Sequence, residues 1–295
     1  MKHAALKFAL FGNVFQPEES SALAEVIKIL KDTSSIIAIE QAFYDFVRKN
    51  NSVQFEPDEI ITSSDFSASF AISLGGDGTF LKTADFVGDK GIPIIGINTG
   101  RLGFLADIAD DEIAAMFNGL AHGEYTIEKR SVLHVVSPTE LKGVSPFALN
   151  EIAILKHDNS SMIGIETTVD NSYLNTYQSD GIIVCTPTGS TGYSLSNGGP
   201  IIAPNSNSIA ITAVAPHSLN IRPVLLNDDC TVKMKVNSRN HNFLLSIDGR
   251  SLSLSDDTPV TIRKAPYFIY IVRKYGNSYF DTLRNKLMWG ADKRL

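Results

Sequence analysis

One stretch limits what this chain can fold into more than any other. Ser69-Phe70-Ala71-Ile72-Ser73-Leu74 is apolar without strict alternation and is stopped by Gly75-Gly76-Asp77-Gly78-Thr79. An apolar run that ends on two glycines predicts a strand buried in a parallel sheet and leading into a tight turn. Phe80 to Val87 follows with helical spacing, so the glycines sit at a strand-to-helix junction. There the first N–H groups of the helix and its dipole attract a phosphate. Glycine lets that backbone curl and approach a ligand closely. Asp77 needs a separate reason. A carboxylate in such a loop repels phosphate unless it holds a cation or takes a proton from an attacking hydroxyl, and both jobs belong to phosphoryl transfer. Gly-Gly-Asp-Gly by itself is equally a plain turn, so the rest of the chain must choose.

The segments before and after the turn alternate. Leu6 to Phe11 reads as a strand ending at Gly12-Asn13. Ser21 is placed to cap a helix over Ala22 to Leu30, whose Leu23, Val26, Ile27 and Leu30 share a face. Ile36 to Val47 carries a further helix-like pattern after a short strand. Pro93 to Ile97 is another buried strand, ending in Asn98-Thr99-Gly100-Arg101-Leu102-Gly103-Phe104-Leu105. Alternating strands and helices imply a parallel α/β sheet, and ligands of such sheets bind at the carboxyl ends of the strands. Gly12, Gly75 to Gly78 and Asn98 to Gly103 would lie along that edge. Beyond a helix at Asp110 to Leu120, period-two segments take over: Ser131–Val136, Glu151–Leu155, Ile163–Val169, Tyr173–Tyr177, Gly181–Cys185, Ser208–Val214, Thr231–Val236, Asn242–Ile247, Ser251–Leu254 and Pro259–Arg273. Asp170-Asn171-Ser172 and Asp248-Gly249 are hairpin turn signals. The expected division is an α/β domain over residues 1–124 and an all-β sandwich over 125–275. A tail, 276–295, with a helix at Tyr279 to Trp289, packs back onto the first domain.

Composition excludes several function classes. In 295 residues, 43% are apolar and 20% charged, as in a globular domain, and the net charge of −6 with no Lys/Arg run argues against nucleic acid as partner. No apolar run approaches the ~20 residues of a membrane span. Met1-Lys2-His3 before a short apolar stretch imitates a signal peptide, but Gly12-Asn13 and an acidic helix follow at once, so a first core strand fits better. The cysteines Cys185 and Cys230 form no framework, no Cys–His cluster has zinc spacing, and Cys185 in its apolar run reads as buried. A cytoplasmic location is expected.

A second dense feature runs from Ser179-Asp180-Gly181 through a buried strand into Thr186-Pro187-Thr188-Gly189-Ser190-Thr191-Gly192-Tyr193-Ser194-Leu195-Ser196-Asn197-Gly198-Gly199-Pro200. Some 15 residues of Gly, Ser, Thr, Asn and Pro inside a compact domain are usually functional or a linker, and Tyr193 and Leu195 speak against a linker. Short hydroxyls and exposed backbone suit a hydroxylated or amide ligand, and Tyr193 offers a flat face to a ring. Asn150-Glu151 opens a strand, and an amide beside a carboxylate can fork two vicinal hydroxyls. Lys82 and Arg101 could each meet a phosphate or simply face solvent. His217 reads as a loop hydrogen-bonder.

Taken together, these residues resemble the NAD kinase family over nearly the whole chain. The Gly75–Thr79 turn alone is shared with phosphofructokinases and diacylglycerol-type lipid kinases. Gly96 to Leu105, Asn150-Glu151, Asp180-Gly181 and Thr186 to Ser194 in this order are far more specific, and Leu283 to Leu287 with Trp289-Gly290 resembles the family's ending. The resemblance implies a Rossmann-like, phosphofructokinase-like α/β domain followed by a β sandwich. It implies transfer of the γ-phosphoryl of ATP to the 2′-hydroxyl of the adenosine ribose of NAD, giving NADP. By that likeness Asp77 is the general base, and Gly75, Gly76, Gly78 and Thr79 shape the phosphate loop with Lys82 beside it. Asn150 and Glu151 hold a ribose diol. Asp180 and the segment Thr191, Gly192, Tyr193, Ser194, Leu195, Ser196 contact the adenine, nicotinamide and ribose groups. Ala215 lines the base pocket, and Phe80 packs on the adenine. The likeness also implies a divalent ion, Mg²⁺ foremost, and a homodimer or homotetramer with sites shared between subunits.

Four residues depart from the family's pattern. Gly192 stands where many relatives have Ala, a change expected to loosen the loop. Gln178 stands where some have Arg, Ser161 where some have a basic or larger polar residue, and Arg250 where Gln is frequent. These touch substrate preference and subunit contacts, not the chemistry. The competing readings are a lipid kinase on the same glycine loop, which would need an apolar acceptor surface, and a non-catalytic NAD or NADP sensor, which would have no use for Asp77.

Overall fold

The computed structural model describes residues 5–13, 20–50, 53–100, 103–157, 161–276 and 278–288. Expectations that fall on Met1 to His3, on Arg101 and Leu102, and on Trp289 to Leu295 lie outside these residues. The chain divides into two compact units, Met1–Lys129 with Ile269–Leu295, and Arg130–Phe268.

In the first unit the strands are β1 (Lys7–Gly12), β2 (Ile36–Glu40), β3 (Glu59–Ile61), β4 (Phe70–Leu74), β5 (Ile94–Asn98) and the short β6 (Ile108–Ala109). They pair in parallel in the order β5-β4-β1-β2-β3, with β6 beside the end of β5. The register sets Gly12 against Leu74 and Leu74 against Ile97, so three strands finish level. That brings Asn13, Gly75 and Asn98 to one edge. The helices are α1 (Ser20–Asp32), α2 (Gln41–Lys49), α3 (Asp77–Val87) and α4 (Ile113–His122). Phe8 and Leu10 of β1 share a core with Leu23, Val26 and Leu30 of α1 and Phe117 of α4, while Phe11 meets Phe86 of α3. Burial on both faces is what an all-parallel sheet requires. Two expectations are corrected here. Ser21 is the second residue of α1 and cannot cap it. Ile36 to Glu40 is strand, and the helix that follows starts at Gln41, its first N–H groups taken by the Glu40 carboxylate.

The second unit contains β8 (Phe147–Ala148), β9 (Glu151–Lys156), β10 (Ile163–Val169), β11 (Ser172–Ser179), β12 (Gly181–Cys185), β13 (Ser208–Val214), β14 (Val224–Asn227), β15 (Val232–Asn237), β16 (Asn242–Ile247) and β17 (Arg250–Ser255). Among the described residues one antiparallel sheet runs β14-β13-β12-β9-β16-β17, and β11-β10-β15 begins a second. Alternate residues of both sheets, such as Ile154, Val184 and Leu245 from one and Ile165, Met234 and Val236 from the other, fill one core, which makes the unit a sandwich. Two hairpins turn through residues with positive φ, Asp170 (48°) with Asn171 (67°) and Asp248 (46°) with Gly249 (80°), the backbone that a two-residue hairpin loop needs.

Two long strands, β7 (Tyr125–Ser137) and β18 (Val260–Lys274), contribute residues to both units. The boundaries expected at 124/125 and 275/276 fall at the ends of these strands, whereas the compact units divide inside them. A short helix α5 (Tyr193–Ser196) and the terminal α6 (Tyr279–Leu287), which belongs to the first unit, complete the elements.

Candidate active site

The glycine turn opens on a polar cavity. Gly76 is the N-cap of α3 and offers no side-chain cap; its carbonyl takes the Thr79 and Phe80 N–H groups, so the Asp77 and Gly78 amides at the helix start have no side-chain cap. Gly76, Gly78, Thr79 and Lys82, with Asn13, Asn98, Thr99 and Gly100, line a polar cavity of about 410 Å³. A Cβ at Gly76 or Gly78 would meet no atom within 4 Å, so these glycines keep the cavity floor low.

Asp77, at the first position of α3, does not point into solvent. Its Oδ2 accepts the N–H of Phe104 at 3.0 Å, and its Oδ1 accepts those of Leu105 and Ala106 at 3.0 and 3.1 Å. Gly103 lies against the same carboxylate: a Cβ there would stand 2.0 Å from Oδ1. Asn98 ties the same loop, its Nδ2 donating to the Ala106 carbonyl and its Oδ1 accepting the Gly100 N–H. Phe80 is fully buried, so it cannot stack on a ligand base. It is a core residue.

The second unit builds a different site on a similar device. Asp248, in its positive-φ turn, accepts the backbone N–H groups of Leu149, Asn150 and Glu151 at 2.6, 2.9 and 2.9 Å. Burial raises the Asp248 carboxyl above its ordinary value against the pull of those amides. The clamp presents Asn150 and Glu151, whose Oδ1 and Oε2 are buried and accept nothing from the described residues. The Glu151 carboxyl is pushed up to about 7, by burial first and by the neighbouring Asp248 second, while a hydrogen bond from the Tyr193 N–H opposes the shift. Gly189 packs on this segment so closely that a Cβ would stand 2.1 Å from the Asn150 carbonyl oxygen.

The Gly/Ser/Thr segment is more ordered than its composition suggests. It forms a 3-10 turn at Thr188–Thr191 and then α5. Several hydroxyls serve the fold: Thr186 donates to the Leu149 carbonyl, Ser190 to that of Pro187, and Ser194 lies 3.0 Å from the Thr212 hydroxyl. Ser194 is fully buried, which corrects its expected contact with a ligand. Thr191, Tyr193, Leu195 and Ser196 keep some exposure, and Tyr193 is 39% exposed. Gly192 is tighter than expected, since a Cβ would come to 3.0 Å from Glu151 Oε2. Cys185 is buried, its thiol pushed up to about 11 by burial.

Asp180 and Ala215 sit elsewhere. Gly181 pairs with Val214, and Cys185 pairs with Glu151, so Asp180 and Glu151 are at opposite ends of β12. At about 3.3 Å per residue that is roughly 16 Å. Asp180 pairs with Lys156 at 2.8 Å and lines a second polar cavity of about 800 Å³ with Ser161, Gln178, Lys235 and Arg239. The backbone N–H of His217 donates to the Gln178 carbonyl. Arg250 donates to the Phe147 and Ile247 carbonyls and so braces the Asp248 turn. Sequence reasoning read Asp248 only as a turn residue. The sole signal for more was its place in a hairpin whose strand neighbours carry Asn150-Glu151.

Comparison with known proteins places the chain in a family. The family model described as ATP-NAD kinase N-terminal domain matches residues 8–125, and that of the ATP-NAD kinase C-terminal domain matches residues 149–274. A NAD kinase of Bacteroides fragilis is 50% identical over 290 residues, 98% of this chain and 100% of that protein. One of Porphyromonas gingivalis is 41% identical over 98% of this chain and 99% of its own. In fold, yeast NADH kinase complexed with NADH matches with a TM-score of 0.85 at 22% identity, covering 100% of this chain and 91% of that one. An Archaeoglobus fulgidus NAD kinase in complex with ATP matches at 0.73 and 22% identity, over 96% and 99%. With both of its domains matched and half of its residues shared with a relative over full length, the chain belongs to the ATP-NAD kinase family.

Proposed function

We infer that the protein is a NAD kinase that moves the γ-phosphoryl of ATP to the 2′-hydroxyl of the adenosine ribose of NAD, yielding NADP and ADP. The observation that carries the acceptor is the pair of buried, unpartnered oxygens, Asn150 Oδ1 and Glu151 Oε2. Buried acceptors without donors are costly; the two residues keep part of their surface exposed, and two vicinal hydroxyls that displace the cover over these oxygens would supply the missing donors. The donor triphosphate is assigned to the 410 Å³ cavity, where helix amides, Lys82 and Thr79 face it. Asp77 acts as general base: Oδ2 accepts one N–H and retains a lone pair for the proton of the attacking hydroxyl. Tyr193 lends its exposed ring to the dinucleotide.

Among the described residues no group of three His, Cys, Asp or Glu side chains could hold a metal ion. For Mg²⁺ we propose Thr79 and Asn98, which line the 410 Å³ cavity, as neighbouring oxygen donors beside the triphosphate. Such an ion neutralises charge on the transferred group. Homo-oligomerisation is inferred from the separation of Asp180 and Ala215 from Glu151: a second copy would bring its Asp180 to the dinucleotide held by the first. No described helix is long and apolar enough to cross a membrane. A cytoplasmic setting is proposed because Cys185 and Cys230 are both buried free thiols.

The test is incubation of the full chain with ATP and Mg²⁺ and with NAD, NADH or diacylglycerol, the 2′-phosphorylated dinucleotide being read by a dehydrogenase specific for it. NADP formation is expected. Phosphate transfer to the lipid, or to no acceptor, would overturn the assignment. Mixing Glu151→Gln and Asp180→Ala chains should restore activity if sites are shared.

A further inference from the structure

Arg273 lies on β18 in the first unit and is 6% exposed. Its Nη1 meets Asp107 Oδ2 at 2.7 Å, and its Nε donates to Glu128 Oε2 at 3.1 Å. The same guanidinium donates to two backbone carbonyls, Nη2 to Phe104 at 3.1 Å and Nη1 to Leu105 at 3.3 Å. Burial acts to lower its pKa, but the carboxylates of Asp107 and Glu128 outweigh burial and hold it above the ordinary value, so the group stays charged.

Those two carbonyls belong to particular peptide groups. The Phe104 carbonyl shares its plane with the N–H of Leu105, and the Leu105 carbonyl shares its plane with the N–H of Ala106. Both N–H groups donate to Asp77 Oδ1. A peptide group is rigid, with its C=O and N–H opposed. Two consecutive peptide groups are therefore gripped at one end by a guanidinium and at the other by the Asp77 carboxylate. Chains of hydrogen bonds of this kind polarise one another. The planar fork of arginine can hold two carbonyls and two carboxylates at once, whereas a lysine ammonium is a point charge on a flexible stem.

We propose that Arg273 is a positioning residue for Asp77, fixing the direction of its carboxylate through the Phe104–Leu105 and Leu105–Ala106 peptide groups. This rests on Asp77 being the base, and the test separates the two claims. Four full-length proteins are compared in the NADP-forming assay: the parent, Asp77→Asn, Arg273→Lys and the double variant. Arg273→Lys should leave the KM for NAD and for ATP within about twofold and lower kcat roughly 10- to 100-fold, the scale of a misplaced reacting group. In the Asp77→Asn background the same change should alter kcat by less than about twofold, because the two act as one unit. If Arg273→Lys lowers kcat by the same factor in both backgrounds, or leaves kcat intact while Asp77→Asn abolishes it, Arg273 has no positioning role. If Asp77→Asn itself keeps the parent kcat, the general-base assignment is lost, and this proposal with it. Should Arg273→Lys lose its cooperative melting transition, Glu128→Ala takes its place. It removes one anchor of the guanidinium at a partly exposed position, and it must show the same Asp77-dependent loss in kcat or the proposal fails.

Discussion

Both units use the same local device to opposite ends. In the first, Asp77 accepts three consecutive backbone N–H groups, from Phe104 to Ala106. In the second, Asp248 accepts three consecutive N–H groups, from Leu149 to Glu151. In the first case the clamped carboxylate is itself the group assigned to chemistry, and the amides orient it. In the second the carboxylate is the support, and the clamped segment carries the side chains assigned to the ligand. The consequence is a difference in satisfaction. Asp77 has its partners already, whereas Asn150 Oδ1 and Glu151 Oε2 are buried without donors. One carboxylate is satisfied by the fold itself, while the other segment holds two buried oxygens without donors, which the acceptor assigned to it would relieve.

The largest expected effect breaks the first half of that comparison. Asp77→Asn should lower kcat by about 10² to 10⁴, the usual worth of a general base, with the KM for NAD nearly unchanged and the melting temperature lowered, because the new NH2 faces an N–H that the carboxylate accepted; an unaltered kcat would remove Asp77 from the chemistry. Breaking the second half should act on binding and stability instead. Asp248→Ala leaves three amides without their charged acceptor, a loss on the order of 3 kcal/mol in unfolding free energy, and should raise the KM for NAD far more than it lowers kcat. Denaturant unfolding and steady-state kinetics together read both. A paired glycine test sharpens the contrast. Gly103→Ala drives a methyl into the Asp77 carboxylate and should cut kcat, while Gly189→Ala drives one into the Asn150 carbonyl and should raise the KM for NAD. Equal effects on both parameters in both variants would mean the two sites are not separable in this way.

The smallest effect concerns pH. The Glu151 carboxyl is raised from about 4.5 in the unfolded chain to about 7 in the fold. A raised acid favours the protonated native state, so its stabilisation is full below about 4.5 and is lost as pH climbs through about 7. The ligand-free melting temperature should fall between pH 5 and 8, and Glu151→Gln should flatten that fall. Hydroxyl donors favour the ionised carboxylate, so apparent affinity for NAD should increase over the same range. A parent protein whose pH dependence matches that of Glu151→Gln would refute the assignment.

Much of this was open to reading in one dimension because it is written locally. A buried strand, a glycine turn and a helix are contiguous from Phe70 to Val87. The turns at Asp170-Asn171 and Asp248-Gly249 declare their backbone through residue type. Asn150-Glu151 announces paired polar groups at a strand start. What failed to be legible concerns partners remote in sequence. Phe80 and Ser194 looked available to a ligand, yet each is fully buried by neighbours that no local pattern names. Ser21 looked like a cap because the apolar stripe begins after it, but the helix starts one residue earlier.

The amino-acid order by itself determined most of the elements, the division into an α/β part and a sandwich, and the candidate site residues, because periodicity, turn type and side-chain functional groups are properties of neighbouring residues. Only the tertiary structure decided which donors surround each carboxylate. Asp77 finds its amides 27 to 29 residues away, Asp248 finds its own 97 to 99 residues away, and Arg273 reaches its carbonyls across 168 and 169. Whether a buried charge is a support or a reactive group depends on which donors surround it, and those donors are assembled by packing.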